Sequence, residues 1–103
     1  MADLQPVRGT HDILADDFRL HRHIGDRAAL LAARHGFQEM TPPIFEFTDV
    51  FSRTLGETSD VVTKEMYTFQ DRGGDSITLR PEFTAGIARA FMSNGLAQEA
   101  PLK

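Results

Sequence analysis

The fold is decided by one stretch, KEMYTFQDRGGDSITLRPEFTAG, which occupies residues 64–86. Side chains alternate in character over residues 64–70 and again over residues 76–80, as they do on the two faces of a β-strand. Between these segments, the Asp-Arg-Gly-Gly-Asp run at residues 71–75 is a strong turn signal. The stretch therefore predicts an antiparallel hairpin over about residues 64–80.

A helix is predicted directly after the hairpin, within residues 80–95. Pro81 suits the first turn of a helix, because no intrahelical hydrogen bond is required of its nitrogen there. Asn94 and the glycine after it would end the helix. Its apolar face is expected to comprise Phe83, Ile87, Ala90 and Phe91.

The chain before the hairpin predicts two further helices and a short strand. A long helix is expected from about Ala15 to His35, with Gly36 at its end. Residues 37–40 are expected to form a strand that stops before two prolines, and Thr48 is expected to cap a helix that Gly56 ends. Together with the hairpin, these elements predict an α+β fold with an antiparallel sheet. The apolar stripe of the long helix is Leu20, Ile24, Ala28, Leu31 and His35.

Composition limits the functional classes. The 103 residues, 41% hydrophobic and 25% charged, suit one small globular domain. A net charge of −4 gives no general attraction to nucleic acid. No cysteine is present, and His21 and His23 point to different faces of the long helix, so no metal site is expected. No apolar stretch reaches the roughly 18 residues of a membrane span, which favours a cytoplasmic protein.

The junction between the hairpin and the last helix is the best candidate for chemistry. Glu82 could accept hydrogen bonds from an ammonium group, and the Thr84 hydroxyl could take a second position on the same group. Alternatively, both side chains satisfy the start of the helix, with Arg80 as an exposed ion-pair partner. Residue types alone favour this structural explanation, because acidic first turns are common.

Five motifs in order resemble the histidyl-tRNA synthetases of bacteria. They are RGTHDIL (8–14), GFQEMTPPIFE (36–46), GETSDVV (56–62), KEMYTF (64–69) and TLRPE (78–82). The resemblance implies that residues 1–103 are the N-terminal part of one class II aminoacyl-tRNA synthetase catalytic domain. The first-motif helix and strand would occupy about 15–46, the hairpin 64–80, and the histidine-binding loop and helix 80–95. The rest of that domain and the anticodon-binding domain would lie outside the chain.

The resemblance also implies roles for particular residues. Glu82, Phe83 and Thr84 match the loop that holds the α-amino group of histidine, although many relatives have glycine where Phe83 stands. Phe37 and Pro43 match the first motif, which forms much of the dimer interface. No catalytic residue is expected among residues 1–103, so the chain alone should be inactive and should carry no bound cofactor.

The resemblance implies a longer parent protein, of which residues 1–103 are one part. Its implied function is that of a homodimeric histidine–tRNA ligase. It would activate L-histidine with ATP and Mg²⁺ and transfer the histidyl group to tRNA(His). One alternative is the regulatory subunit of ATP phosphoribosyltransferase, whose N-terminal segment and Arg-Pro-Glu region are similar to those of this chain. Another is a non-catalytic dimerisation module. The motifs at 56–60 and 64–69 favour the ligase.

Overall fold

A computed structural model describes residues 3–55 and 66–99 of the chain. The chain divides into two compact units, residues 1–39 and 40–102. Among the described residues, no helix is both long enough and apolar enough to cross a membrane. The elements are α1 (Ala15–Arg34), β1 (Phe45–Phe47), α2 (Thr48–Leu55), β2 (Tyr67–Gln70), β3 (Ser76–Leu79), α3 (Thr84–Ser93) and a final 3-10 turn (Leu96–Glu99).

The first unit is dominated by the predicted long helix α1. The helix ends in a Schellman arrangement, in which the Gly36 N–H donates to the Ala33 carbonyl and the Phe37 N–H donates to the Ala32 carbonyl, both at 3.0 Å. Gly36 has a φ of +84°, a conformation that glycine adopts without a steric penalty. The prediction that Gly36 ends the helix is confirmed.

None of the α1 residues is buried. The predicted apolar stripe has the correct helical spacing, but Leu20, Ile24 and Leu31 are all exposed. Spacing alone predicted the helix correctly and gave no information on what covers the stripe.

The predicted strand at residues 37–40 is wrong, because these residues are irregular and the first strand is β1 at Phe45–Phe47. A strand requires a partner, and β1 pairs antiparallel with β3, with Phe45 opposite Leu79 and Phe47 opposite Ile77. Pro42 and Pro43 have no N–H to donate to a ladder, so pairing begins only beyond them. The sequence of residues 37–40 could not reveal that the partner strand lies opposite a later segment.

The second unit contains a three-stranded antiparallel sheet with the order β1-β3-β2. The described part of the predicted hairpin is confirmed as β2 and β3, while residues 64 and 65 lie outside the described residues. In the turn, an Asp71 carboxylate oxygen accepts the Asp75 N–H at 2.9 Å, and Gly74 has a φ of +91°. The turn sequence therefore sets the register of the hairpin.

A chain of hydroxyl groups joins α2 to the sheet. The Thr78 side chain is fully buried, and its Oγ1 lies 2.9 Å from both the Thr48 and the Thr68 hydroxyl oxygens. Thr48 Oγ1 is also 2.7 Å from Ser76 Oγ. Helix α2 spans the predicted residues, and Gly56, its predicted stop, lies outside the described residues.

Helix α3 begins later than predicted and buries a different face. It starts at Thr84 and not near Pro81. Of the predicted apolar residues, Ala90 is buried but Phe83 and Ile87 are exposed; Ala85 and Gly86 are buried instead. Small residues face inward because the backbone approaches closely: a Cβ added to Gly86 would lie 3.2 Å from two Pro42 side-chain atoms.

Candidate functional site

Glu82 lies just before the N-terminus of α3, and its carboxylate satisfies the first backbone donors of that helix. One oxygen, Oε2, accepts the Thr84 N–H at 2.6 Å, and Oε1 accepts the Ala85 N–H at 2.9 Å. The first N–H groups of a helix have no intrahelical partners, so these bonds stabilise the helix start. The structural role that the sequence left open for Glu82 is therefore present.

This capping role leaves Glu82 with further hydrogen-bonding capacity. An ionised carboxylate offers about four lone-pair sites, and the two backbone donors use two of them. The Glu82 side chain is half-buried, which keeps it within reach of a small molecule. Thr84 is exposed as the first residue of α3, and Phe83 stands between the two predicted ligand-binding side chains. The three predicted loop residues therefore lie together at one strand-to-helix junction.

Arg80 is not the exposed ion-pair partner that the structural alternative supposed. It is half-buried, and its Nη1 donates to the Pro42 carbonyl oxygen at 3.1 Å. Its guanidinium carbon lies 4.3 Å from the centroid of the Phe83 ring, the geometry of a cation–π interaction. The Arg80 backbone N–H donates to the Ile44 carbonyl at 2.9 Å. These contacts tie the loop to the segment that precedes β1.

A second tie connects α3 to β1. Arg89 donates from Nε and Nη2 to the two carboxylate oxygens of Glu46, which is buried within the strand. Sequence reasoning missed this pair. A charged residue between two phenylalanines in the segment Phe45–Phe47 was the available signal, because a buried carboxylate requires a partner.

Phe37 and Pro43, the residues predicted for a dimer interface, belong to different units. Phe37 follows the C-terminus of α1, and Pro43 precedes β1. Each residue is exposed. Their contribution to a dimer stays a prediction.

Two observations limit other candidates. Within residues 3–55 and 66–99, no three His, Asp or Glu side chains are grouped so that they could hold a metal ion. A groove of about 530 Å³ lies between α2 and α3, lined by residues that include Phe47, Val50 and Met92, and none of residues 80–84 lines it. The loop is favoured over this groove because the groove is lined by a carboxylate, Asp49, but by no hydroxyl group.

The antiparallel sheet with flanking helices agrees with part of a class II aminoacyl-tRNA synthetase catalytic domain, and the α+β prediction is confirmed. The solved structure of apo histidyl-tRNA synthetase from S. aureus superposes with a TM-score of 0.80 at 38% identity. The match covers 98% of this chain and 26% of that one. The family model described as Histidyl-tRNA synthetase matches residues 9–103, and the chain belongs to this family.

The similarity extends to proteins of greater length. The chain is 70% identical, over all 103 residues, to a histidine–tRNA ligase from Rhodospirillum rubrum, of which it covers 25%. The chain therefore spans about a quarter of the length of the relatives that it matches. A structure from Bacillus halodurans, described as an ATP phosphoribosyltransferase regulatory subunit/histidyl-tRNA synthetase, superposes with a TM-score of 0.76 over 95% of this chain and 25% of that one. At 24% identity, that likeness shows the fold alone.

Proposed function

We propose that the chain is part of the catalytic domain of a histidine–tRNA ligase and that its Glu82–Thr84 loop binds the α-amino group of L-histidine. The observation that carries this proposal is the Glu82 carboxylate, oriented at a strand-to-helix junction by two backbone N–H groups. Membership of the histidyl-tRNA synthetase family supports the choice of amino acid.

Simple electrostatics favours a cationic ligand here. The N-terminus of α3 carries roughly +0.5 of an elementary charge from the helix dipole, which by itself repels an ammonium group. An ammonium group hydrogen-bonded to Glu82 would lie nearer to this full negative charge than to the helix terminus or to the Arg80 guanidinium, which is engaged with Pro42 and the Phe83 ring. A charge-assisted hydrogen bond to the carboxylate contributes about 1.5–3 kcal/mol, and the exposed Thr84 hydroxyl is a second acceptor for the same group.

The remaining substrates and partners belong to the proposal for the parent protein. ATP would enter with Mg²⁺ as a substrate complex, and tRNA(His) would accept the activated histidyl group. The parent is proposed to act in the cytoplasm as a homodimer, with Phe37 and Pro43 in the interface. The exposed apolar stripe of α1 supports a partner surface on the first unit.

Histidine-dependent exchange of pyrophosphate into ATP by the parent protein tests this function. The wild type should show exchange, and Glu82→Gln should lower kcat/KM for histidine at least about tenfold, since it removes the charge that attracts the ammonium group. Glu99→Gln is the matched control, because Glu99 is exposed in the final 3-10 turn. A folded parent without exchange would instead favour the regulatory-subunit or dimerisation alternative.

A further inference from the structure

Arg80 makes three contacts that converge on one segment and one ring. Its backbone N–H bonds to Ile44, its Nη1 bonds to Pro42, and its guanidinium covers the ring of Phe83. Both acceptors lie just before β1, whereas Phe83 lies inside the proposed histidine loop. Arg80 therefore connects the loop to the edge of the sheet.

The Arg80 guanidinium is positioned to hold the Phe83 ring in place. The ring is apolar, yet Phe83 is 54% exposed, so about half of the residue is not covered by the protein. Phe83 is also the cap residue of α3. Its backbone joins Glu82 directly to Thr84, so a change in the Phe83 conformation would move both proposed ligand-binding groups.

An arginine suits this position better than a lysine. A guanidinium group donates hydrogen bonds in its own plane and stacks through its face, so it can bond to Pro42 and cover Phe83 at the same time. An ammonium group is a compact point charge without such a face. Substitution by lysine would keep the charge and a donor for the Pro42 carbonyl but lose the stacking on the Phe83 ring.

We propose that Arg80 is a positioning residue, which holds the Glu82–Thr84 loop in the histidine-binding conformation through Phe83 and Pro42. Arg80 itself does not contact the substrate in this account. The inference rests on the proposed function, because it assigns a role within the same amino-acid site. A positioning role for Arg80 predicts that its substitution weakens the binding of histidine and leaves KM for ATP unchanged.

The test uses the parent protein with Arg80→Lys, Phe83→Leu and the double variant. Histidine affinity is measured by titration calorimetry, KM for histidine and ATP by pyrophosphate exchange, and Tm by calorimetry. Arg80→Lys should weaken histidine binding about tenfold, with KM for ATP and Tm unchanged. The double variant should bind histidine about as weakly as the weaker single variant, because both changes remove the same contact. Arg72→Lys, in the exposed hairpin turn, is the matched control.

The outcomes separate this inference from the proposed function. A wild type that binds histidine and exchanges pyrophosphate, with Arg80→Lys indistinguishable from it, would overturn only the positioning role. An Arg80→Lys protein that loses histidine and ATP binding equally and has a lowered Tm would also overturn it. So would a double variant whose loss of histidine affinity equals the sum of the two single losses in free energy. A folded wild type that neither binds histidine nor exchanges pyrophosphate would overturn both the function and the role of Arg80.

Discussion

Arg89 and Glu46 form a two-point ion pair that fixes α3 to β1. Arg89 Nε lies 3.0 Å from Glu46 Oε1, and Nη2 lies 2.9 Å from Oε2. The Glu46 side chain is 7% exposed and the Arg89 side chain 31%. The remaining guanidinium nitrogen donates to the Ser93 hydroxyl at 2.9 Å. Since Glu82 caps the same helix, this pair also helps to fix where the proposed histidine loop ends and α3 begins.

Removal of Arg89 should destabilise the fold substantially. Arg89→Met would retain much of the side-chain volume but leave the Glu46 carboxylate buried without a countercharge, at a cost of about 3 kcal/mol. Urea unfolding of the parent protein measures this change. Arg72→Met in the exposed turn should change stability by less than about 0.5 kcal/mol. Similar small changes for both variants would contradict the importance of the pair.

Two glycines in helices should respond oppositely to alanine. At Gly86, the new methyl group would lie 3.2 Å from Pro42 and 3.3 Å from a Glu46 carboxylate oxygen, so overpacking should cost about 1–3 kcal/mol. At Gly25, nothing described lies within 4 Å of the new atom, and alanine should stabilise α1 by about 0.5–1 kcal/mol. The shift in Tm of each glycine-to-alanine variant tests both predictions. A stabilised Gly86→Ala protein would show that α3 does not approach Pro42 this closely.

The buried Thr78 hydroxyl should contribute more to the free energy of unfolding than the exposed Ser76 hydroxyl on the same strand. Thr78→Val removes the group that bridges Thr48 and Thr68, with little change in shape, and should cost about 1–2 kcal/mol. Ser76→Ala removes an exposed hydroxyl, which bonds to Thr48 at the solvent-facing end of the same chain, and should cost less than about 0.5 kcal/mol. The difference between their urea midpoints is the measurement. Equal midpoints would exclude a stabilising role for the buried hydroxyl chain.

Local signals predicted the elements that depend on neighbours in sequence. The turn at residues 71–75 and the alternation on both sides of it predicted the hairpin, and Gly36 and Asn94 marked helix ends correctly. In these cases the deciding interactions span only a few residues. The junction that contains Glu82 was also found from local sequence, because a strand end and a helix start adjoin there.

Long-range pairing was the part that sequence could not supply. A strand was predicted at residues 37–40, yet β1 forms at Phe45–Phe47, where β3 is available as a partner. The inward face of α3 was mispredicted because hydrophobicity favoured Phe83 and Ile87, while the close approach of Pro42 required Gly86. The contacts of Arg80 and the partner of Glu46 likewise join residues about 40 positions apart.

Recognition of the ammonium group of histidine by the Glu82 carboxylate can be tested directly. The most direct test compares the Kd of the parent protein for histidine and for 3-(imidazol-4-yl)propionate, which lacks the amino group. The wild type should bind histidine about 10- to 100-fold more tightly than the analogue, and Glu82→Gln should abolish most of this preference while leaving the affinity for the analogue nearly unchanged. An undiminished preference in a folded Glu82→Gln protein would contradict the account.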